Sequence, residues 1–249
     1  MKTILVISGL DPTGGAGISA DIRAISSCGN IVAPVISAFA NQGNSEGGHV
    51  HVTPLPVFDE AMDFALSTTP DTVKIGMLGT REIIEVVAGK LSSLKHLPPI
   101  VIDPVMSSTS GMKLLSTDGI EALVERLFPI ATLITPNIAE AEALTRIKIE
   151  KERDIEAAGE FLITRCRAVL IKGGHIAGPP TDYFFSGEGT RKFSSERVSG
   201  EFRGTGCALA SLIASNLADG LSIFSAVKTA KDSLTVAMKQ SEPPYLMFL

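Results

Sequence analysis

Short runs of β-branched and aliphatic residues, separated by amphipathic stretches, recur along this 249-residue chain and constrain its fold more than any single motif. The runs span residues 3–8, 31–39, 72–75, 100–103, 132–135 and 168–172. Several are apolar without alternation, as strands covered on both faces are. The stretches between them (17–28, 57–67, 81–94, 118–127, 138–144 and 151–164) read as helices. This alternation predicts an α/β fold, a mostly parallel sheet with helices on both faces. Residues 182–185 and 192–198 flank Ser186-Gly187-Glu188-Gly189-Thr190 and predict a hairpin at an antiparallel edge. Two helices follow, 205–217 and 223–239, with Asp219-Gly220 stopping the first. No repeat, low-complexity stretch or linker interrupts the pattern, so residues 1–249 read as one domain.

Composition narrows the function classes. The net charge of −5, with no basic patch, argues against a nucleic-acid binder. Cys28, Cys166 and Cys207 are odd in number and widely spaced, which fits a reducing cytoplasm better than a disulfide framework or a zinc site. The apolar run Ile4-Leu5-Val6-Ile7 is short and soon followed by Asp11-Pro12, so it reads as a first buried strand and not as a signal peptide. No apolar run approaches the ~20 residues of a membrane span.

In open parallel sheets ligands bind at the carboxyl ends of the strands. Polar or glycine-rich clusters fall there at 9–17, 41–48, 76–79, 103–111, 135–140, 172–175 and 204–207. Residues 9–17 form a glycine-rich strand-to-helix turn that is neither a Walker A loop nor a dinucleotide fingerprint. It reads as a ligand-contacting loop or as a tight turn, and Asp21 either meets a polar ligand or faces solvent. The amides of Asn41, Gln42 and Asn44 suit the edge of a heterocycle, or simply make a polar loop. Asp103 and Glu140 suit Mg²⁺ bridged to phosphate. Asn137 and Glu140 also suit helix capping, whereas a carboxylate ending a buried strand at Asp103 needs a partner. Lys172, ahead of two glycines, reads as a phosphate contact or a snorkelling lysine. Gly204-Thr205-Gly206-Cys207 opens an apolar helix whose first amides favour an anion. Thr205 is a candidate N-cap. Cys207 is either a small buried residue or a thiol whose pKa the helix terminus lowers.

Taken in order, these motifs resemble the ribokinase-like superfamily, and more closely the hydroxymethylpyrimidine/phosphomethylpyrimidine kinases of thiamine biosynthesis. The matching stretches are Gly9-Leu10-Asp11-Pro12-Thr13-Gly14-Gly15-Ala16-Gly17, Lys74-Ile75-Gly76-Met77-Leu78, Asp103-Pro104-Val105-Met106, Ile134-Thr135-Pro136-Asn137-Ile138-Ala139-Glu140-Ala141, Lys172-Gly173-Gly174-His175 and Gly204-Thr205-Gly206-Cys207. The resemblance implies a three-layer α/β/α sandwich that uses ATP and Mg²⁺ to phosphorylate a pyrimidine's hydroxymethyl group and then its monophosphate. It implies an anion hole at Gly204, Thr205 and Gly206, with Cys207 as the base. Gln42 would meet the ring, with Gly9, Asp11, Asp21 and Met77 close by. Asp103 and Glu140 would organise Mg²⁺, and Lys172, Asn137 and Thr205 would bind ATP. Homodimers are common among such kinases, so a second copy is an expected partner by analogy. Two other readings stand beside this one: a pyridoxal kinase of the same family, and a non-catalytic pyrimidine sensor.

The chain departs from the family pattern in four places. Arg203 stands where histidine is usual, and either adds a phosphate contact or lies on the rim. Ser107-Ser108-Thr109-Ser110-Gly111 lacks the usual basic residue. Gly43-Asn44-Ser45 follows Gln42 where Asn-Thr is usual. The tail Glu242-Pro243-Pro244-Tyr245-Leu246-Met247-Phe248-Leu249, which packs on the protein or on a partner, replaces a glycine-rich one.

Overall fold

The computed structural model describes residues 1–41, 48–108, 111–173 and 180–248. Strand β1 (Thr3–Leu10) leads through α1 (Gly17–Ser27) to β2 (Ile31–Asn41) and a short β3 (His49–Val52). Helix α2 (Leu55–Ser67) precedes β4 (Thr72–Ile75), and α3 (Arg81–Ser92) precedes β5 (Ile100–Ile102). Helix α4 (Thr117–Ala122) leads to β6 (Leu133–Ile134); α5 (Ile138–Thr145) and α6 (Glu152–Ile163) lead to β7 (Ala168–Ile171). The hairpin β8 (Thr181–Ser186) and β9 (Gly189–Ser194) follows, then α7 (Thr205–Ala218) and α8 (Ile223–Gln240).

Among the described residues the strands form one sheet, ordered β3-β2-β1-β4-β5-β6-β7-β8-β9. The pairs from β2 through β7 are parallel; β3 at one edge and the β8–β9 hairpin at the other join antiparallel. Side chains alternate across the sheet. Leu5, Ile7, Val73, Ile75, Ile100 and Ile102 pack against Phe58, Ile83, Leu91 and Leu162 of α2, α3 and α6. Ile4, Val6, Val101, Leu133 and Leu170 pack against Ile25, Leu209, Ile213 and Val227 of α1, α7 and α8. Both faces are therefore covered, which is why the strands read as unbroken apolar runs. Each such buried side chain contributes ~1.5–3 kcal/mol. The result is the expected three-layer α/β/α sandwich.

Three local expectations change, and one left open is decided. The helix expected over 118–127 is α-helical only to Ala122; it widens into a π turn, Leu123–Leu127, and ends in a 3-10 turn at Phe128–Ile130. Pro129, which lacks an N–H, lies in that last turn. Strand β9 stops at Ser194 and not at 198. Strand β3 was not expected, because His49-Val50-His51-Val52 is short and only half apolar. The tail packs on the protein itself: Leu246 is buried in the α7–α8 core and Phe248 lies against it. No helix among the described residues is long and apolar enough to cross a membrane.

The chain steps from β1 to β2 on one side, then resumes at β4 on the other. Such a reversal opens a crevice at the carboxyl ends of the strands.

Candidate active site

That crevice holds a cavity of about 630 Å³. Gly9, Asp11, Met77, Asp103, Asn137, Glu140, Lys172 and the turn from Gly204 to Cys207 all line it, so most of the expected site residues meet in one place. Gln42 lies outside the described residues.

The loop after β1 closes on itself. Gly17 has φ +57°, and a Cβ there would lie 2.2 Å from the Gly9 carbonyl oxygen. At Gly9 a Cβ would lie 2.6 Å from Met77 Sδ, so glycine is what lets Met77 lie across this wall. Asp11 is buried; its Oδ1 accepts the Thr13 N–H at 2.9 Å and the Thr13 hydroxyl at 2.8 Å.

Asp21 neither faces solvent nor lines the cavity. It is fully buried beneath it, with Lys74 Nζ 2.8 and 2.9 Å from its two oxygens and the Ser211 hydroxyl donating at 2.8 Å. Lys74 occupies the register position between Val6 and Val101 on the α7 face of the sheet. Burial works against its charge, but Asp21, Cys207 and Asp103 outweigh burial and hold the ammonium above the ordinary lysine range. Sequence reasoning missed Lys74 as a site element. The signal was a lysine inside a strand otherwise destined for burial, which requires a counter-charge.

At the end of β5, Asp103 takes Lys172 Nζ at 2.6 Å. Burial would raise Asp103, but the Lys172 and Lys74 ammoniums outweigh it and hold the carboxyl below its ordinary value. Lys172 thus stands paired at the cavity wall and does not snorkel outward. Asn137 and Glu140 realise the capping reading in full: the Asn137 side chain accepts the Glu140 N–H at 2.9 Å, and Glu140 Oε2 accepts the Asn137 N–H at 2.7 Å. Glu140 still faces the cavity, and burial pushes it up to about 7, with Lys172 opposing and Asp103 adding to the rise.

At the start of α7 the cap is Gly204 and not Thr205. Gly204 has φ 70°, and no side chain caps the helix. A Cβ on Gly204 would lie 2.4 Å from the Gly15 carbonyl oxygen, so the β1–α1 loop presses directly on this turn. A Cβ on Gly206 would lie 3.1 Å from Lys172 Nζ, which places that ammonium beside the first-turn amides. The turn and Lys172 together make an anion cradle. Asp103 and the Gly17 backbone N–H lie near the Cys207 thiol. The helix terminus does not lower it: burial pushes it up to about 12, Lys74 opposing and Asp103 and Asp21 adding.

Two pairings in the wall were not read from the sequence. Asp182 takes Lys231 Nζ at 2.6 Å and the Gly173 N–H at 3.0 Å, which ties α8 to the residue after Lys172. Arg203 reaches Asp11 Oδ2 at 3.0 Å and the Thr13 hydroxyl at 2.9 Å.

Known proteins resemble this chain in sequence and fold. Residues 11–245 match the family model described as phosphomethylpyrimidine kinase. A hydroxymethylpyrimidine/phosphomethylpyrimidine kinase of Aquifex aeolicus is 38% identical over 96% of this chain and 94% of its own length. The thiamine biosynthesis bifunctional protein ThiED of Geobacter sulfurreducens is 38% identical over 97% of this chain, which spans only 50% of that longer protein. Among solved structures, the phosphomethylpyrimidine kinase of Clostridium difficile is similar with a TM-score of 0.82 and 35% identity, over 96% of this chain and 100% of that one. The pyridoxal kinase of Staphylococcus aureus, in complex with AMP-PCP and pyridoxal, is similar with a TM-score of 0.89 and 27% identity, over 99% of this chain and 92% of that one. With a matched model spanning residues 11–245 and such relatives along nearly all its length, the chain belongs to the phosphomethylpyrimidine kinase family of ribokinase-like enzymes.

Proposed function

We propose that this chain, acting as one catalytic domain, transfers the γ-phosphoryl group of ATP to the hydroxymethyl group of 4-amino-5-hydroxymethyl-2-methylpyrimidine, and then phosphorylates the monophosphate to the diphosphate. One observation carries the reading: an uncapped helix start, the Lys172–Asp103 pair and the Cys207 thiol converge on one cavity. Phosphoryl transfer needs chiefly positioning and charge neutralisation, and this cradle supplies both. The Gly204–Gly206 amides and Lys172 receive the transferred group; Asn137 and Thr205 stand at the phosphate side. The apolar wall from Leu234 and Met238 of α8 suits the nucleotide base. Gly9, Asp11 and Met77 form the pyrimidine side, and Asp21 supports it from below through Lys74.

The residues present fit Mg²⁺. Asp103 and Glu140 offer two carboxylates, and no cluster of three or more His, Cys, Asp or Glu among the described residues forms a closed metal cage. Mg²⁺ is commonly held by one or two carboxylates with phosphate and water completing the shell. When bound, it would offset charge on the phosphate oxygens. Cys207 accepts the proton of the attacking hydroxyl. Its resting thiol must first give its own proton to water in the cavity, and Lys74 nearby is the resident cation that favours the thiolate. The three unpaired cysteines support a cytoplasmic setting; a homodimer remains an analogy to similar kinases.

The likeness to pyridoxal kinase favours a second reading, since pyridoxal also presents a hydroxymethyl group on a nitrogen heteroaromatic ring. Coupled ADP release with each substrate separates the two. Turnover of the pyrimidine and its monophosphate is the expected result; turnover of pyridoxal alone would replace the first reading with the second. Saturable pyrimidine binding without phosphorylation would support the sensor.

A further inference from the structure

We infer that Arg203 is a positioning residue that clasps the β1–α1 loop to the anion-cradle turn and so sets the geometry of the ring-substrate side of the site. The inference rests on the kinase reading for its kinetic consequences, and on the structure alone for the clasp. The Arg203 guanidinium makes two contacts on the loop, Nη2 to Asp11 Oδ2 at 3.0 Å and Nη1 to Thr13 Oγ1 at 2.9 Å. Its stem lies along the same loop, because a Cβ on Gly15 would be 3.4 Å from Arg203 Cβ, Cδ and Nε. Its own N–H donates to the Pro244 carbonyl at 2.9 Å, so the tail backs the clasp from outside. The next residue is Gly204, whose Cα approaches the Gly15 carbonyl too closely for any side chain.

Asp11 is therefore a closed unit. Oδ1 is engaged by the Thr13 N–H and hydroxyl, and Oδ2 by Arg203. A carboxylate only 3% exposed needs such a counter-charge, since a buried charge left unpaired is strongly unfavourable. Arg203 supplies it from the residue preceding the anion cradle. The loop that faces the ring and the turn that faces the phosphoryl group are thereby joined by one side chain. Its planar fork makes both contacts at once, which a lysine cannot.

The test uses the full-length chain with Arg203→Met, which keeps the stem and removes the donors, Arg203→Lys, which keeps one charge, and Asp11→Asn alone and combined with Arg203→Met. Hydrogen exchange of the Thr13 and Gly15 amides reads the clasp directly. Kinetics read its consequence, with whichever ring substrate the parent chain phosphorylates. Arg203→Met should raise KM for the ring substrate about tenfold, leave KM for ATP within about twofold, and speed exchange in the loop, with Arg203→Lys intermediate. Asp11→Asn should do less harm in the Arg203→Met background than alone, because it removes the stranded charge. Unchanged loop exchange in Arg203→Met would overturn the clasp, as would a lowered melting temperature with KM and loop exchange unmoved. If the parent chain turns over neither pyrimidine nor pyridoxal, the kinase reading fails while the exchange experiment still decides the clasp.

Discussion

Lys74 Nζ lies 2.8 and 2.9 Å from the two carboxylate oxygens of Asp21, with neither side chain exposed to solvent. The pair stands between the sheet and α7, close enough to Cys207 to act on its thiol, and would set a fixed cation beside the proposed site of phosphoryl transfer. Breaking one half should cost about 3–5 kcal/mol, because the other charge is left buried and alone. Lys74→Met should thus lower the urea midpoint sharply, and Lys74→Met with Asp21→Leu should recover much of it. Equal loss in the single and double variants would show that the ion pair is not what the site depends on.

Cys207→Ala should reduce kcat by ~10²–10⁴-fold, the usual cost of losing a general base. Its melting temperature should hardly move, since the change is small. Because burial pushes the thiol up to about 12, iodoacetamide should label Cys207 slowly at neutral pH in the ligand-free chain. Rapid labelling followed by mass spectrometry would contradict the protonated thiol.

Glu140 links stability to pH. Its value rises from an ordinary 4.5 to about 7 on folding, so the native state binds the extra proton between those values. Stability from this residue is therefore greatest at low pH and falls as pH rises from about 4.5 to about 7, then levels off. Glu140→Gln keeps an oxygen for the Asn137 N–H but removes the titration. Urea melts from pH 5 to 8 should decline for the parent chain relative to the variant; parallel profiles would refute the assignment. The Mg²⁺ requirement should ease over the same rise in pH, as the carboxylate ionises.

Asp103→Asn should raise the Mg²⁺ concentration needed for half-maximal activity and free Lys172 from its 2.6 Å partner. Lys172→Met should instead raise KM for ATP. Identical Mg²⁺ titrations for the parent chain and Asp103→Asn would make that carboxylate purely structural.

Gly204 and Gly206 should differ although they are two residues apart. A side chain at Gly204 meets both a left-handed backbone, φ +70°, and the Gly15 carbonyl oxygen at 2.4 Å. The backbone strain alone is ~1–2 kcal/mol, so Gly204→Ala should impair folding as well as activity. At Gly206 the nearest atom is the flexible Lys172 Nζ at 3.1 Å, so Gly206→Ala should fold and lose activity selectively. Calorimetry beside the ADP-release assay distinguishes them.

Much of this architecture was legible from local pattern. Unbroken apolar runs marked the strands covered on both faces, and the polar clusters at their ends marked one rim. What was lost depended on which residues meet across the sheet. Asp21 looks like a solvated or ligand-facing residue one turn into α1, until Lys74 and Ser211 arrive from distant segments. The thiol of Cys207 illustrates the same limit: the helix start is a local signal, but burial beside Asp103 and Asp21 is not, and burial prevails. Nothing local singles out Lys231, and only the fold brings it to Asp182. Asn137 and Glu140 follow the capping reading, and both also line the cavity.

Helix α7 is buried along almost its whole length, and its interior is built of small residues such as Ala208, Ala210, Ser211, Ala214 and Ser215. Such a helix has little freedom to drift in sequence, because any added bulk must displace the sheet or a neighbouring helix. The turn proposed to handle the phosphoryl group is thereby inherited with the scaffold, and under that reading a change of ring substrate has to be written in the loops that face it.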